Sequence, residues 1–286
     1  MKQNKMVVLG LVLLIYHVAL GSLSGAAEPV FDGLKSRLIK DGFTKEQLKV
    51  WFDHRDAAFN VSSVGAFFRH SEGRLNYNQF LSGTNIAKAR RYMATHQSDL
   101  SAADKQFGVA AEVITAIVLI ETRLGTYLGK SNVFSTLSTM AALRDQGARE
   151  KLWREMPSKG RYDRNRFDQK ADQRAPWAYK ELKAFLRYTE AGGIDPLQIE
   201  GSYAGAMGIC QFMPSNIAKF GMDGNGDGRI NLFDHTDAIY SVARYLQKHG
   251  WKSGLTEAEA MQVVKRYNLS TPYARTVLGV ARKLKH

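Results

Sequence analysis

Glu121 closes an apolar run. In "ITAIVLIETRLG", residues 114–125, seven of the eight positions from Ile114 to Glu121 are apolar or small, and the eighth is the carboxylate. At helical spacing Glu121 shares a face with Ile114 and Ile117, and Gly125 supplies a stop. Desolvation there disfavours the charged form and raises a carboxyl pKa. A Glu held protonated near neutral pH can donate a proton to a leaving oxygen, which is general-acid chemistry. The plainer reading is a helix-end Glu paired with a cation such as Arg123. Glycoside cleavage usually takes a second carboxylate as nucleophile or base. Glu200, Asp195, Asp163 and Asp168 are present, but none stands in a comparable apolar context. A lone acid fits the exception in which the substrate's own N-acetyl group stabilises the oxocarbenium-like centre.

Two further stretches carry chemistry. "GSYAGAMGICQFMP", residues 201–214, holds three glycines, two alanines and a serine. Such residues let backbone approach a ligand or a second helix closely. Ser202 and Gln211 supply groups suited to hydroxyls and amides. The spacing does not fit a dinucleotide fingerprint, and no strand-like run precedes it. A tight helix-packing corner is the alternative. "DGNGDGRINLFD", residues 223–234, follows the EF-hand pattern. Asp223, Asn225 and Asp227 fall at the first three side-chain ligand positions, and Gly228 at the sharp turn. Arg229 offers its carbonyl, Asn231 follows, and Asp234 closes the loop. Ile230 suits the short strand such loops use. The pattern implies a structural Ca²⁺. The departure is Asp234 where Glu is usual, since its shorter arm reaches the ion less fully. The alternative is an Asx-rich loop that caps the helix near "HTDAIYSVA".

These residues need a scaffold, and the periodicity of the chain is mostly helical. "EPVFDGLKSRLIKDG" places Phe31, Leu34 and Leu38 on one face and stops at Gly42. Thr44 opens "TKEQLKVWF" with Gln47 three residues on, a capping box. "NQFLSGTNIAKARRYMATHQSDLSAADKQFG" reads as a long surface helix with a break near Gly83. "AAEVITAIVLIETRLG" is apolar almost all round and reads as a buried helix. The polar interval "MPSKGRYDRNRFDQKADQRAP", bracketed by Pro157 and Pro176, reads as a long loop or a join to a smaller excursion. Helices follow at "WAYKELKAFLRYTEAGG", "TDAIYSVARYLQKHG", "TEAEAMQVVKRYN" and "YARTVLGVARKLK". Strand-like alternation is scarce. The expected class is mainly α with short β pieces.

Composition bounds the partners. The chain has 286 residues, 44% of them hydrophobic, and a net charge of +13. That charge suits an anionic polymer: nucleic acid, acidic lipid or an acidic wall glycan. Residues 1–27 show two lysines, an apolar stretch and a small-residue end at Ala26 and Ala27, the three-part form of a secretory signal. The apolar stretch is short for a bilayer span, which takes about 20 residues. Export argues against nucleic acid. Cys210 is the sole cysteine, so no internal disulfide forms. "NVS" at Asn60 and "NLS" at Asn268 match a glycosylation acceptor, a short and often accidental pattern.

Together, "ETRLGTYLGKSNVFSTLSTM", "GSYAGAMGICQFMPSNIAKF" with "DGNGDGRINLFDHTDAIYSVARYLQKHGW" after it, and "RYNLSTPYARTVL" resemble the B-type lytic murein transglycosylases, a lysozyme-like family. The resemblance runs from about residue 28 to the end and is thin before residue 75. It implies a lysozyme-like α core with an inserted helical excursion, in one catalytic domain over 28–286 behind a signal at 1–27. It implies peptidoglycan glycan strands as substrate and a single catalytic Glu, here Glu121. Ser202, Gln211, Tyr245, Tyr267, Asn268 and Tyr273 match residues lining the cleft. Arg174 matches one arginine of a pair, with Gln173 at its partner position. Tyr77 matches a further tyrosine if a one-residue gap is allowed. Cys210 falls where the family has a small residue, which implies packing. The family implies an exported, periplasmic monomer, soluble or loosely wall-associated, with other cell-wall enzymes as partners. Two other functions stay open: a hydrolase of the same polymer, and a non-catalytic, Ca²⁺-stabilised wall-binding protein.

Overall fold

A computed structural model describes residues 29–69, 76–157 and 163–285. The signal-like segment 1–27 lies outside the described residues.

The scaffold of Glu121 is a buried helix, α6 (Ala111–Thr122), in which every residue from Val113 to Ile120 is buried. It is apolar on all sides because it is covered on all sides. Its neighbours are α4 (Gly83–Thr95), α5 (Gln97–Phe107), α11 (His235–Lys248) and α13 (Thr271–Lys285). Each fully buried Ile, Val or Leu contributes about 1.5–3 kcal/mol, so the position of α6 is strongly determined. A second buried helix, α7 (Val133–Ala142), follows a strand, β1 (Ser131–Asn132), and packs along α9 (Arg164–Gly192). β1 pairs antiparallel with β2 (Glu200–Gly201), in the register Ser131 opposite Gly201. That ladder ties the segment after Glu121 to the glycine-rich segment. It needs close approach: a side chain at Gly129 would collide with the Gly201 carbonyl.

The peripheral helices follow local signals. α1 (Asp32–Lys40) buries Leu34 and Leu38, and Gly42 beyond it has φ +97°. Thr44 and Gln47 form the expected capping box at the start of α2 (Lys45–Phe52). α3 (Val61–Arg69), α8 (Gln146–Glu155), α10 (Pro214–Phe220) and α12 (Glu257–Tyr267) complete thirteen α-helices among the described residues. The mainly α class is borne out.

Three local expectations are corrected. The surface helix after residue 78 breaks at His96 as well as before Gly83, giving α4 and α5. The polar interval between Pro157 and Pro176 is helical from Arg164, capped by Asp163, and α9 runs straight through Pro176. Proline in a helix interior costs about 3 kcal/mol, but Ala171, Ala175, Ala178, Leu182 and Phe185 bury one face of α9. Pro176 and Asp172 one turn earlier are exposed, so the carbonyl deprived of its N–H partner lies near water. Ile230 forms no strand; the loop amides around it bond to side-chain carboxylates instead.

Candidate active site

The C-terminus of α6 is shaped by an unusual turn. Arg123, Leu124 and Gly125 all take positive φ, at 52°, 65° and 81°. For non-glycine residues this conformation costs roughly 1–2 kcal/mol each, and such strain persists only where surrounding structure fixes it. Thr122 does the fixing. Its buried hydroxyl donates to the Ile209 carbonyl at 2.8 Å and accepts from the Gly125 N–H at 3.0 Å. The helix end carrying Glu121 is thereby fastened to the glycine-rich segment. Gln211 is the other non-glycine residue with positive φ among the described residues, at 49°. Its amide donates to the carbonyls of Leu128 and Gly208.

Glu121 stands where two cavities meet. One, of about 470 Å³, is walled by Asn76, Tyr77, Phe80, Tyr127, Tyr203, Asn268 and Tyr273. The other, of about 560 Å³, is walled by Asn60, Ser62, Ser63, Lys130, Ser131, Ser202 and Gln211. Tyr127 and Tyr203 border both. A third, of about 750 Å³, shares Gly129, Lys130 and Asn132 with the second and extends to Arg55 and Glu200. Glu121 thus divides an aromatic arm from a polar arm. Among the described residues no other carboxylate lines either of the two cavities at Glu121.

Tyr273, 1% exposed, donates its hydroxyl to Glu121 Oε1 at 2.6 Å. Burial and the neighbouring Glu121 charge push the Tyr273 phenol well above its usual value, so it remains a donor. Tyr77 packs edge-on against Tyr273, with ring centroids 5.9 Å apart. Asn268 lines the aromatic arm and accepts from the Ser270 N–H. Ser202 lines the polar arm, and its hydroxyl accepts from the N–H groups of Ala204 and Ala206, which shapes the glycine-rich turn.

Not every expected residue reaches the cleft. Tyr245 is buried in an aromatic cluster with Phe212, Phe220 and Tyr267, and its hydroxyl donates to the Arg266 carbonyl. Tyr267 stands behind the cleft floor and donates to the Cys210 carbonyl at 2.5 Å. Both brace the glycine-rich segment and line neither cavity at Glu121. Arg174 is exposed on α9, over the rings of Phe67 and Trp177, and lines neither cavity. Cys210 is fully buried, and burial pushes its thiol up, as a packing residue requires. Of the other carboxylates, Asp163 and Asp195 cap helices, Asp168 pairs with Arg164, and Glu200 lies at the far end of the polar arm.

Sequence reasoning missed Tyr127, Lys130, Tyr203, Asn60 and Ser63. The first three sit inside the conspicuous motifs, so proximity in sequence was a usable signal. Asn60 and Ser63 come from α3 and the residue before it, and carried none.

The loop 223–234 is arranged by its own carboxylates. Asp223 accepts from the N–H groups of Gly226, Asp227 and Gly228. Asn225 accepts from Asp227, Asp227 from Arg229, and Asn231 from Phe233. Asp234, expected to close the loop, is the N-cap of α11 and accepts from Thr236 and Asp237. The side chain that faces the loop is Asp237, fully buried, which accepts from Gly224, Asn225 and Asn231. Its burial raises the carboxyl pKa. An all-oxygen Asp and Asn set suits a hard cation, although among the described residues no group of three or more His, Cys, Asp or Glu side chains is gathered as a cage.

A helical core offering a single carboxylate to a cleft with one aromatic wall defines a lysozyme-like protein. The chain belongs to the transglycosylase SLT domain family, which it matches over residues 26–261. It is 33% identical over 190 residues to the membrane-bound lytic murein transglycosylase B of Escherichia coli K12. That match covers 66% of this chain and 44% of the relative, so the chain spans less than half of that protein's length. Among solved structures it is similar to the soluble lytic transglycosylase SltB1 of Pseudomonas aeruginosa, at 28% identity and a TM-score of 0.71, covering 90% of this chain and 98% of the other. The fold is shared with Escherichia coli Slt35 solved with calcium, at 24% identity and a TM-score of 0.72, covering 92% and 95%. The family read from the three motifs is borne out. No helix among the described residues is long and apolar enough to cross a membrane.

Proposed function

We propose that this chain is a lytic murein transglycosylase that cleaves the β-1,4 bond between N-acetylmuramic acid and N-acetylglucosamine without water. The observation that carries this reading is Glu121: one carboxylate at the junction of two cavities, with Oε1 held by Tyr273. The relatives named as lytic transglycosylases support it.

Glu121 protonates the bridging oxygen as the C1–O4 bond breaks. The muramyl acetamido group stabilises the cationic sugar, a role that fits a cleft with a single acid. Glu121, now a carboxylate, accepts the proton of the sugar's own 6-hydroxyl as O6 bonds to C1. The enzyme returns to its starting protonation state, and the product ends in a 1,6-anhydro ring. Tyr273 holds Glu121 in one orientation through both steps. The tyrosines of the aromatic arm offer faces for sugar rings, and Ser202, Gln211 and Asn268 offer polar groups to acetamido and hydroxyl groups. Tyr77 contributes by fixing Tyr273. Tyr245 and Tyr267 act through the floor they brace, and Arg174 lies outside the two cavities.

The loop takes Ca²⁺ as a structural ion, with Asp223, Asn225, Asp227, Asn231 and the Arg229 carbonyl as donors. Asp237 joins them, and Asp234 serves as cap. The support is the hard-oxygen donor set, the buried carboxylate of Asp237, and a shared fold with a protein solved with calcium. The protein acts as one domain over 28–286, exported behind residues 1–27 to the periplasm, on glycan strands, as a monomer alongside other wall enzymes.

Product analysis tests the reaction. Digested peptidoglycan should yield ends that resist borohydride reduction, and Glu121→Gln should yield none. Mainly reducible ends carrying one extra water would make the enzyme a hydrolase.

A further inference from the structure

Away from the cleft, α9 and α10 enclose a groove of about 530 Å³. That is within the roughly 300–1,000 Å³ typical of small-molecule sites. Its walls are apolar and mostly short: Ala184, Tyr188 and Ala191 from α9, Ile217 and Ala218 from α10, and Ile230. Small side chains on facing helices leave depth between them. The Tyr188 hydroxyl is occupied, donating to the carbonyl of Ile230, another groove residue.

The rim is cationic. Lys180, Lys183, Arg187 and Lys219 all border the groove, and no acidic side chain does. Lys180, Lys183 and Arg187 recur at helical spacing along one face of α9. Lys183 is paired with Asp41. Lys180, Arg187 and Lys219 have no ion-pair partner among the described residues. Glu181, on the next face of α9, is turned inward and accepts from the backbone and hydroxyl of Ser215, a groove residue, so one buried carboxylate stands beside the groove and offsets part of the rim's charge. The four cations outnumber the two nearby carboxylates, Asp41 and Glu181, and a net positive rim around an apolar slot suits an anion attached to an apolar body. Arginine and lysine together suit a phosphate.

We propose that this groove binds an anionic phospholipid, with an acyl chain between α9 and α10 and the phosphate on Arg187, Lys180 and Lys219. Such a site would hold the protein at a lipid surface without occupying the cleft. The alternative occupants, a bare anion, a neutral amphiphile and an acidic helix of another protein, differ from it in what the groove must recognise.

The test is a methyl NMR titration of the whole chain with dihexanoylphosphatidylglycerol below its micelle concentration. The methyl signals of Ala184, Ile217 and Ala218 should shift and saturate. Dihexanoylphosphatidylcholine and glycerol 3-phosphate should bind at least about tenfold more weakly. Lys180→Glu with Arg187→Glu should weaken binding about tenfold or more, whereas Lys105→Glu with Lys248→Glu, an equal charge change elsewhere, should not. Ala218→Glu, at an exposed position on α10, should also abolish the shifts. Circular dichroism and wall lysis should stay unchanged in all three variants, so loss of fold is distinguished from loss of the site. Equal binding of glycerol 3-phosphate or of phosphatidylcholine overturns the proposal. So does a shift pattern outside the groove, an equal loss in the control variant, or tighter capture of an acidic amphipathic peptide at the same methyls.

Discussion

Glu121 and Asp223 both accept hydrogen bonds that fix them, but their donors lie at very different distances along the chain. Glu121 is held by a hydroxyl 152 residues away. Asp223 is held by amides three, four and five residues ahead. The cleft is a product of packing: α6 is enclosed by four helices, and its last turn is fastened by Thr122 to a segment 87 residues on. The loop is a product of local Asx chemistry, with one addition from the first turn of α11, Asp237. A site of the first kind is defined only when the whole domain is folded. A site of the second kind can be written in a dozen residues and needs the rest of the fold mainly to anchor its ends.

The two regions should therefore fail differently. Glu121→Gln keeps shape and removes the transferable proton. Wall lysis should fall at least roughly 10² to 10⁴-fold, with melting unchanged; a variant retaining a tenth of wild-type activity would remove Glu121 from the chemistry. Tyr273→Phe deletes the long-range donor. A hydrogen bond to a charged group is worth about 1.5–3 kcal/mol, so kcat should drop about tenfold or more with a smaller change in KM. An unaltered kcat would show that packing alone orients Glu121.

On the loop side, Ca²⁺ at a hundredfold excess over its Kd should add about 2.7 kcal/mol of stability. EDTA should lower the melting temperature. Asp223→Ala or Asp237→Asn should erase that response, while kcat, measured well below melting, should hold. A melting temperature indifferent to Ca²⁺ counts against the ion, and a lost kcat in folded Asp223→Ala would break the separation between the regions. A further effect is expected where α6 joins the glycine-rich segment. Thr122→Val leaves the Gly125 N–H and the Ile209 carbonyl without a side-chain partner, at a cost of about 1–3 kcal/mol. The midpoint of urea unfolding should fall accordingly, and lysis with it; an unshifted midpoint would mean the left-handed turn needs no fastening.

What could be read early follows the same division. The capping box at Thr44 and the stop at Gly42 are local and were legible. So was the burial of α6, because a run apolar on every side has few other places to go. α9 reads as a loop because its polar face dominates residues 157–176 and Pro176 suggests a boundary; its buried face is covered by other helices, α7 above all, which no local pattern reveals. Asp234 ends the twelve-residue loop pattern, and its Oδ1 has a second task that the pattern does not show. In the fold α11 begins at the next residue, which makes Asp234 its cap and turns Asp237 inward. Tyr245 was assigned to the cleft, and it is the aromatic cluster behind the floor that claims its ring.

By itself the sequence determined the helical class, the buried helix that ends in Glu121, the glycine-rich turn and the oxygen-rich loop, because each depends on periodicity or on hydrogen bonds within a few residues. Only the tertiary structure decided which tyrosines face Glu121, that no second carboxylate shares its two cavities among the described residues, that Thr122 fastens the helix end, and that the polar arm draws on Asn60 and Ser63. Those outcomes depend on which surfaces of distant helices bury one another, and contacts across 152 or 87 residues are set by the packing of the whole chain.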